Sequence, residues 1–173
     1  TLGLELSFVA AATNNLTLSG GLSFLDSEFQ NLNQPCYPGQ SEMQGCIGGE
    51  QSIDGKDALN TPELKYNLAA NLNMPFESMP FDGYGRLGYV WQDDVAFTLD
   101  HDPMTVQDSY GLLDLTLGIA ARDGTYNVSL WGKNLTDEQY CENKQSSRVI
   151  ARVFCYSSRS NERTIGIKAT FNF

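Results

Sequence analysis

The sequence predicts an all-β fold of antiparallel, membrane-spanning strands, and three observations carry that prediction. Apolar and polar residues alternate with period two over stretches roughly twice the length of an ordinary globular strand. The segments that join these stretches alternate between short and long along the whole chain. Aromatic residues gather where the stretches end.

Taken in order, the first stretch places Leu2, Leu4, Leu6, Phe8 and Ala10 on one face and Gly3, Glu5, Ser7 and Val9 on the other. The second sets Leu16, Leu18, Gly20, Leu22 and Phe24 against Thr17, Ser19, Gly21 and Ser23. The third sets Leu64, Tyr66, Leu68, Ala70, Leu72 and Met74 against Lys65, Asn67, Ala69, Asn71 and Asn73. A fourth carries Leu87, Tyr89 and Trp91 opposite Arg86, Gly88, Val90 and Gln92. The fifth carries Leu113, Leu115, Leu117 and Ile119 opposite Asp114, Thr116 and Gly118. The sixth sets Tyr126, Val128 and Leu130 against Asn127, Ser129, Trp131 and Lys133, with Trp131 an aromatic exception on the wet face. The last sets Ile165, Ile167, Ala169, Phe171 and Phe173 against Thr164, Gly166, Lys168, Thr170 and Asn172. No apolar run approaches the roughly 20 residues that a membrane helix needs, whereas a barrel strand needs only about 10, alternating.

The connections run short at Ala12 to Asn15, long at 30–62, short at Phe76 to Asp82, intermediate at 96–109, tight at Arg122-Asp123-Gly124, and long at 137–162. A soluble meander has no reason to keep its long loops at one end; an outer-membrane barrel has short periplasmic turns and long outer loops. That rule assigns 30–62, 96–109 and 137–162 to the cell exterior and the carboxy terminus to the periplasm. Phe76, Phe81, Tyr84, Tyr110, Tyr126, Tyr140, Phe171 and Phe173 fall near strand ends, where amphipathic rings favour the headgroup level.

Composition excludes several classes. A net charge of −10 argues against nucleic acid. No nucleophile–base pairing or phosphate loop is present, so the chain does not read as an enzyme, and no cofactor is expected. The four cysteines fall into two local pairs, Cys36 with Cys46 and Cys141 with Cys155; three pairings are open, and local disulfides are the expected one, in an oxidising compartment. Asp100, His101 and Asp102 are a weak candidate for a cation, because two carboxylates flank the single imidazole, although an exposed acidic loop explains them as well and no metal is expected. Glu5, Lys65, Arg86, Lys133 and Lys168 lie on wet faces, and the expectation is that they point into a lumen, since a charge on the lipid face costs about 2–4 kcal/mol near the midplane.

Several motifs then carry a family resemblance. Asn60-Thr61-Pro62, leading to Asn67 and Leu68, resembles the approach to a late strand of TonB-dependent receptors. Leu130 to Tyr140, with Gly132, Asn134, Asp137 and Tyr140 at the matching positions, is similar to their penultimate-strand signature. Tyr110 to Leu115 resembles the strand before it, and Arg163 to Phe173, ending in an aromatic, resembles the closing strand. The resemblance implies the last seven strands of a barrel of about 22, with the amino-terminal plug, the TonB box and the earlier strands lying outside this sequence. It further implies that Ile167, Ala169, Phe171 and Phe173 form the signal read by the barrel-assembly machinery. Gly132, Asn134, Asp137 and Tyr140 are expected to shape a strand exit, with Asn and Asp bonding their own local backbone, and not to touch substrate; the substrate-binding residues are unknown. The implied partners are the plug and remaining strands, the TonB-ExbB-ExbD system, lipopolysaccharide and outer-membrane lipid, and a small-molecule substrate. The implied function is active uptake of a scarce solute, with siderophore–iron the commonest class in the family and vitamins or oligosaccharides also open. Two other readings remain: a passive outer-membrane barrel or adhesin without energy coupling, and a soluble secreted β-sandwich that binds carbohydrate.

Overall fold

The computed structural model describes residues 1–147, 152–158 and 161–172. Phe173, and with it the terminal residue of the expected assembly signal, lies outside the described residues, as do 148–151 and 159–160 in the last long connection. The strands in chain order are β1 (Leu2–Ala11), β2 (Leu16–Asp26), β3 (Asn33–Pro35), β4 (Glu50–Ser52), β5 (Leu64–Met74), β6 (Phe81–Gln92), β7 (Val95–Ala96), β8 (Val106–Gln107), β9 (Tyr110–Ala121), β10 (Tyr126–Lys133), β11 (Asn143–Ser147), β12 (Arg152–Tyr156) and β13 (Thr164–Phe171). Seven of them form one antiparallel sheet in the order β1-β2-β5-β6-β9-β10-β13. Each therefore pairs with the next long strand in sequence, an up-and-down meander. No helix among the described residues is long and apolar enough to cross a membrane.

The register carries the alternation across all seven strands. Glu5 faces Ser23, Ser23 faces Lys65, Lys65 faces Gln92 and Gln92 faces Tyr110. On the opposite face Leu6, Leu22, Tyr66 and Trp91 line up in the same way. The apolar face has no second layer among the described residues. Leu4 is 53% exposed, Leu87 45%, Leu130 52% and Ile167 76%, and the only buried apolar residues among those described are Ile53, Val95 and Ala96. None of these three belongs to the seven-stranded sheet. A soluble monomer rarely leaves so large a contiguous apolar surface in water. β1 and β13 each have one edge without a neighbour among the described residues.

The short turns are built locally. At 12–15 the Thr13 hydroxyl accepts the amides of Asn15 and Leu16 at 3.2 and 3.0 Å. At 122–125 Gly124 takes φ +77, a left-handed conformation that side chains disfavour, and the Asp123 carboxylate accepts both the amide and the hydroxyl of Thr125. Neighbouring turns are tied together: Arg122 pairs with Asp82 at 2.7 Å and also donates to the Phe76 carbonyl.

The long connections, 27–63, 93–109 and 134–163 by the strand limits, carry more structure than the sequence reading expected. Each contains a small two-stranded ladder: β3–β4, β7–β8 and β11–β12. These strands are two to five residues long, too short to leave a readable period. Two disulfides staple the first and third connections, Cys36–Cys46 and Cys141–Cys155. In the loop-closure picture each stabilises by about 3 kcal/mol through the unfolded state. The connections also lock onto one another. Gln51 donates to the Asp100 carbonyl at 2.6 Å, and the Asn60 amide to the Ala96 carbonyl at 3.0 Å, joining the first to the second. Lys144 donates to the Val106 carbonyl at 2.6 Å and Gln107 accepts the Cys141 amide at 2.9 Å, joining the second to the third. Ile53 and Thr105, both fully buried, sit within this layer.

Candidate functional site

Two regions carry the residues singled out by sequence: the polar face of the sheet and the interlocked layer of long connections.

The polar face of the sheet lines a hollow of about 1030 Å³. Lys65 of β5, Arg86 of β6, Asp114 of β9, Trp131 and Lys133 of β10 and Lys168 of β13 border it. Glu5 lies on the same face, in a shallower depression shared with Lys65 and Asn67. The five predicted charges therefore share one face, because the period of two and the register both hold. No ion pair engages Lys65, Arg86, Lys133 or Lys168 among the described residues. Asp114 is engaged elsewhere, accepting the Asn134 amide at 2.9 Å. The hollow is thus a cationic surface in a chain of net charge −10.

The exit of β10 is organised by Asn134. It is 4% exposed and adopts φ +48, which Asn tolerates better than most side-chain-bearing residues. Its amide nitrogen donates to the carbonyls of Glu138 (2.8 Å) and Asn161 (2.6 Å), and its amide oxygen accepts the Glu138 N–H at 2.9 Å. Asn134 therefore closes its own turn and pins residue 161, at the far end of the third connection, beside residue 134. Gly132 leaves room for this turn, since a Cβ there would lie 2.6 Å from the Leu135 side chain. Asp137 takes φ +58 and pairs with Arg163 at 3.3 Å, while Tyr140 stacks on Tyr110 with ring centres 4.2 Å apart. The matching positions of the motif thus all act on the strand exit. Sequence reasoning had these residues bonding their own local backbone and missed the link to Asn161.

Ile167 and Phe171 lie on the apolar face of β13 and are widely exposed, with Ala169 between them; their register partners are Leu130, Tyr126 and Val128.

Asp100, His101 and Asp102 do not converge on one point. The Asp102 carboxylate caps the turn at 103–105 by accepting the Met104 amide at 3.0 Å, and the His101 ring packs edge-on against Phe29 of the first connection at 6.1 Å. No group of three or more His, Cys, Asp or Glu side chains able to hold a metal occurs among the described residues. His101 instead borders a crevice of about 250 Å³ with Lys56, Asp57 and Asp94. Burial holds its imidazole below the ordinary 6.5, Lys56 pushes in the same direction, and Asp57 and Asp100 oppose them. Its Nε2 is buried without a hydrogen-bond partner among the described residues. Across the crevice, burial and the charges of Asp93 and Asp57 raise the Asp94 carboxyl from 3.8.

A pH dependence follows. The docked connections favour neutral His101, so the undocked state binds the extra proton. His101's contribution to docking is complete above about 6.5 and is lost as pH falls through the depressed value. Asp94 acts oppositely and in a more acidic range, because its folded form holds the proton more tightly. Amide exchange in 27–63 and 93–109 is expected to quicken as pH drops from about 7.5 to 5.5, after correction for intrinsic rates, and His101→Gln is expected to abolish the step. An equal step in that variant would assign the effect to another group.

Comparison with known proteins follows the same lines. The family described as TonB dependent receptor-like, beta-barrel matches residues 1–135. Among solved structures, the ferric yersiniabactin uptake receptor FyuA from Yersinia pestis superposes with a TM-score of 0.74 at 19% identity, over 99% of this chain and 23% of that one. The siderophore receptor PiuA from Acinetobacter baumannii gives 0.63 at 19% identity, over 96% and 21%. BauA, the ferric preacinetobactin receptor from Acinetobacter baumannii, gives 0.60 at 16% identity, over 96% and 21%. No curated protein matches. The chain spans less than a quarter of the length of these receptors, and at such identities the likeness is one of fold.

Proposed function

The chain belongs to the TonB-dependent receptor-like β-barrel family, and from that premise we propose that it is part of the wall of an outer-membrane transporter that takes up a scarce solute. The observation that carries the reading is the two-faced sheet: strands of 8 to 12 residues, one uninterrupted apolar face with nothing packed on it, and a polar face around a hollow. Lipid accounts for the first face and a lumen for the second. The open edges of β1 and β13 are where further barrel strands pair, since lipid leaves no unpaired backbone unpenalised.

In this reading the short turns face the periplasm and the interlocked connections face outward. Lys65, Arg86, Lys133 and Lys168 face the plug that fills the lumen, and Glu5 lies beside them. Ile167, Ala169 and Phe171, with Phe173, form the signal for the assembly machinery. The substrate class proposed is a siderophore–iron complex, by analogy with one neighbour named as a siderophore receptor and two named for ferric compounds. Opening of the path draws on the TonB system.

Uptake of labelled ferric siderophores under iron limitation tests this. Loss of the full-length protein is expected to abolish uptake of one such complex, and loss of TonB to abolish the same uptake. Transport that persists without TonB would make the protein a passive barrel, and unchanged uptake without the protein would reject the substrate class.

A further inference from the structure

The charge of this chain is segregated. The connections 27–63, 93–109 and 134–163 hold fifteen acids and six bases, so nearly all of the net −10 resides at one end of the sheet. At that end the second and third connections enclose a cavity of about 500 Å³, within the roughly 300–1,000 Å³ of small-molecule sites.

The cavity is built from matched and unmatched groups. Asp137 is answered by Arg163, and Lys144 by the Val106 carbonyl. The carboxylates of Asp108, Glu138 and Glu162 also line the cavity, and no ion pair or hydrogen bond among the described residues engages them. Asn161 supplies an independent observation. It is 6% exposed, lines the same cavity, and its amide nitrogen has no hydrogen-bond partner among the described residues. A buried donor left unmatched is costly, and an acceptor atom in the cavity removes the cost. Tyr140, backed by Tyr110, adds an apolar wall.

We propose that this cavity binds a hydroxyl-rich ligand that is positively charged, of the amino-sugar type. A hydroxyl group both accepts and donates, so it can take the Asn161 N–H and give its own proton to a carboxylate. An ammonium group answers the remaining carboxylates, and the C–H face of a sugar ring fits an aromatic wall. An anionic ligand meets three unanswered carboxylates and is repelled. The wider acidic field of the connections concentrates cations at this end. The ligand's access from outside the cell rests on the orientation given above; the binding chemistry does not.

The test uses the full-length receptor in detergent and three disaccharides of similar size: glucosamine-β1,4-glucosamine, its N,N′-diacetyl form and digalacturonate. Calorimetry is expected to rank them cationic, then neutral, with the anionic sugar not binding. Asp108→Asn with Glu162→Gln is expected to weaken the cationic sugar about tenfold and leave the neutral one nearly unchanged. Asn161→Ala is expected to weaken both. An unchanged urea midpoint for each variant separates loss of contact from loss of fold. Equal binding of the anionic sugar, an unaffected double variant, or no binding of any of the three overturns the proposal. Binding of the cationic sugar by a receptor whose loss leaves ferric siderophore uptake unchanged would leave the site standing and reject only the uptake reading.

Discussion

Replacing Asn134 by Leu is expected to destabilise the full-length protein by about 2–4 kcal/mol and to free the third connection. The substitution leaves the Glu138 N–H without its acceptor and two carbonyls without their donor, at a position that is 4% exposed. A buried group left unmatched costs about 1–3 kcal/mol, and the leucine also has to hold φ +48. Asn134→Asp separates the terms, because the acceptor for Glu138 stays and both donors are lost. Asn134→Gly separates the backbone, keeping the left-handed turn and losing all three side-chain bonds. The expected order of stability is wild type, then Asp or Gly, then Leu. Urea titration gives the midpoint, and protease accessibility within 138–161 reports release of the connection. A leucine variant with wild-type midpoint and an intact connection would show that Asn134 is dispensable to the exit.

This residue also marks where sequence reading stops. The seven-stranded sheet was legible because its signal is repeated: each long strand states the same period, and register then carries Glu5, Lys65, Arg86, Lys133 and Lys168 to one face without further information. The two local cysteine pairs were legible from spacing. The interlocked layer was not. Asp102 reads as part of an exposed acidic loop, yet it is 4% exposed and caps its own turn, and Gln51 is 8% exposed with its side chain bonded to the Asp100 carbonyl of another connection. Asn134 and Asn161 are 27 residues apart, and nothing in either sequence neighbourhood announces the other. One local cue did exist: an Asn directly after a strand, with Asp three residues later, suits two left-handed positions, and both occur. The Asp100-His101-Asp102 run, only a weak cation candidate by sequence, shows the opposite limit. Adjacency in an irregular segment sends neighbouring side chains apart, and here one caps a turn while another packs on a distant ring.

The orientation of the whole sheet is tested by two adjacent residues. Leu87, at the middle of β6, is 45% exposed on the apolar face, while Arg86 beside it borders the hollow. If the apolar face meets lipid, Leu87→Arg places a guanidinium near the bilayer midplane and costs about 2–4 kcal/mol. Arg86→Leu removes a charge that has no ion-pair partner among the described residues and costs well under that, about 1 kcal/mol or less. In water the ranking would differ, since an exposed Leu→Arg change is close to neutral on a soluble surface. Urea unfolding of the full-length protein refolded into lipid vesicles is therefore expected to show a large loss for Leu87→Arg and a small one for Arg86→Leu. Repeating the pair at Leu117 and Thr116 of β9, the next long strand, guards against a peculiarity of one site; Leu117→Arg is expected to be costly and Thr116→Arg mild, because position 116 borders the wet hollow and the new charge meets only repulsion from Arg86 opposite it. Equal small losses at Leu87 and Leu117 would mean that the apolar face meets water and not lipid, and the barrel reading would fall with it.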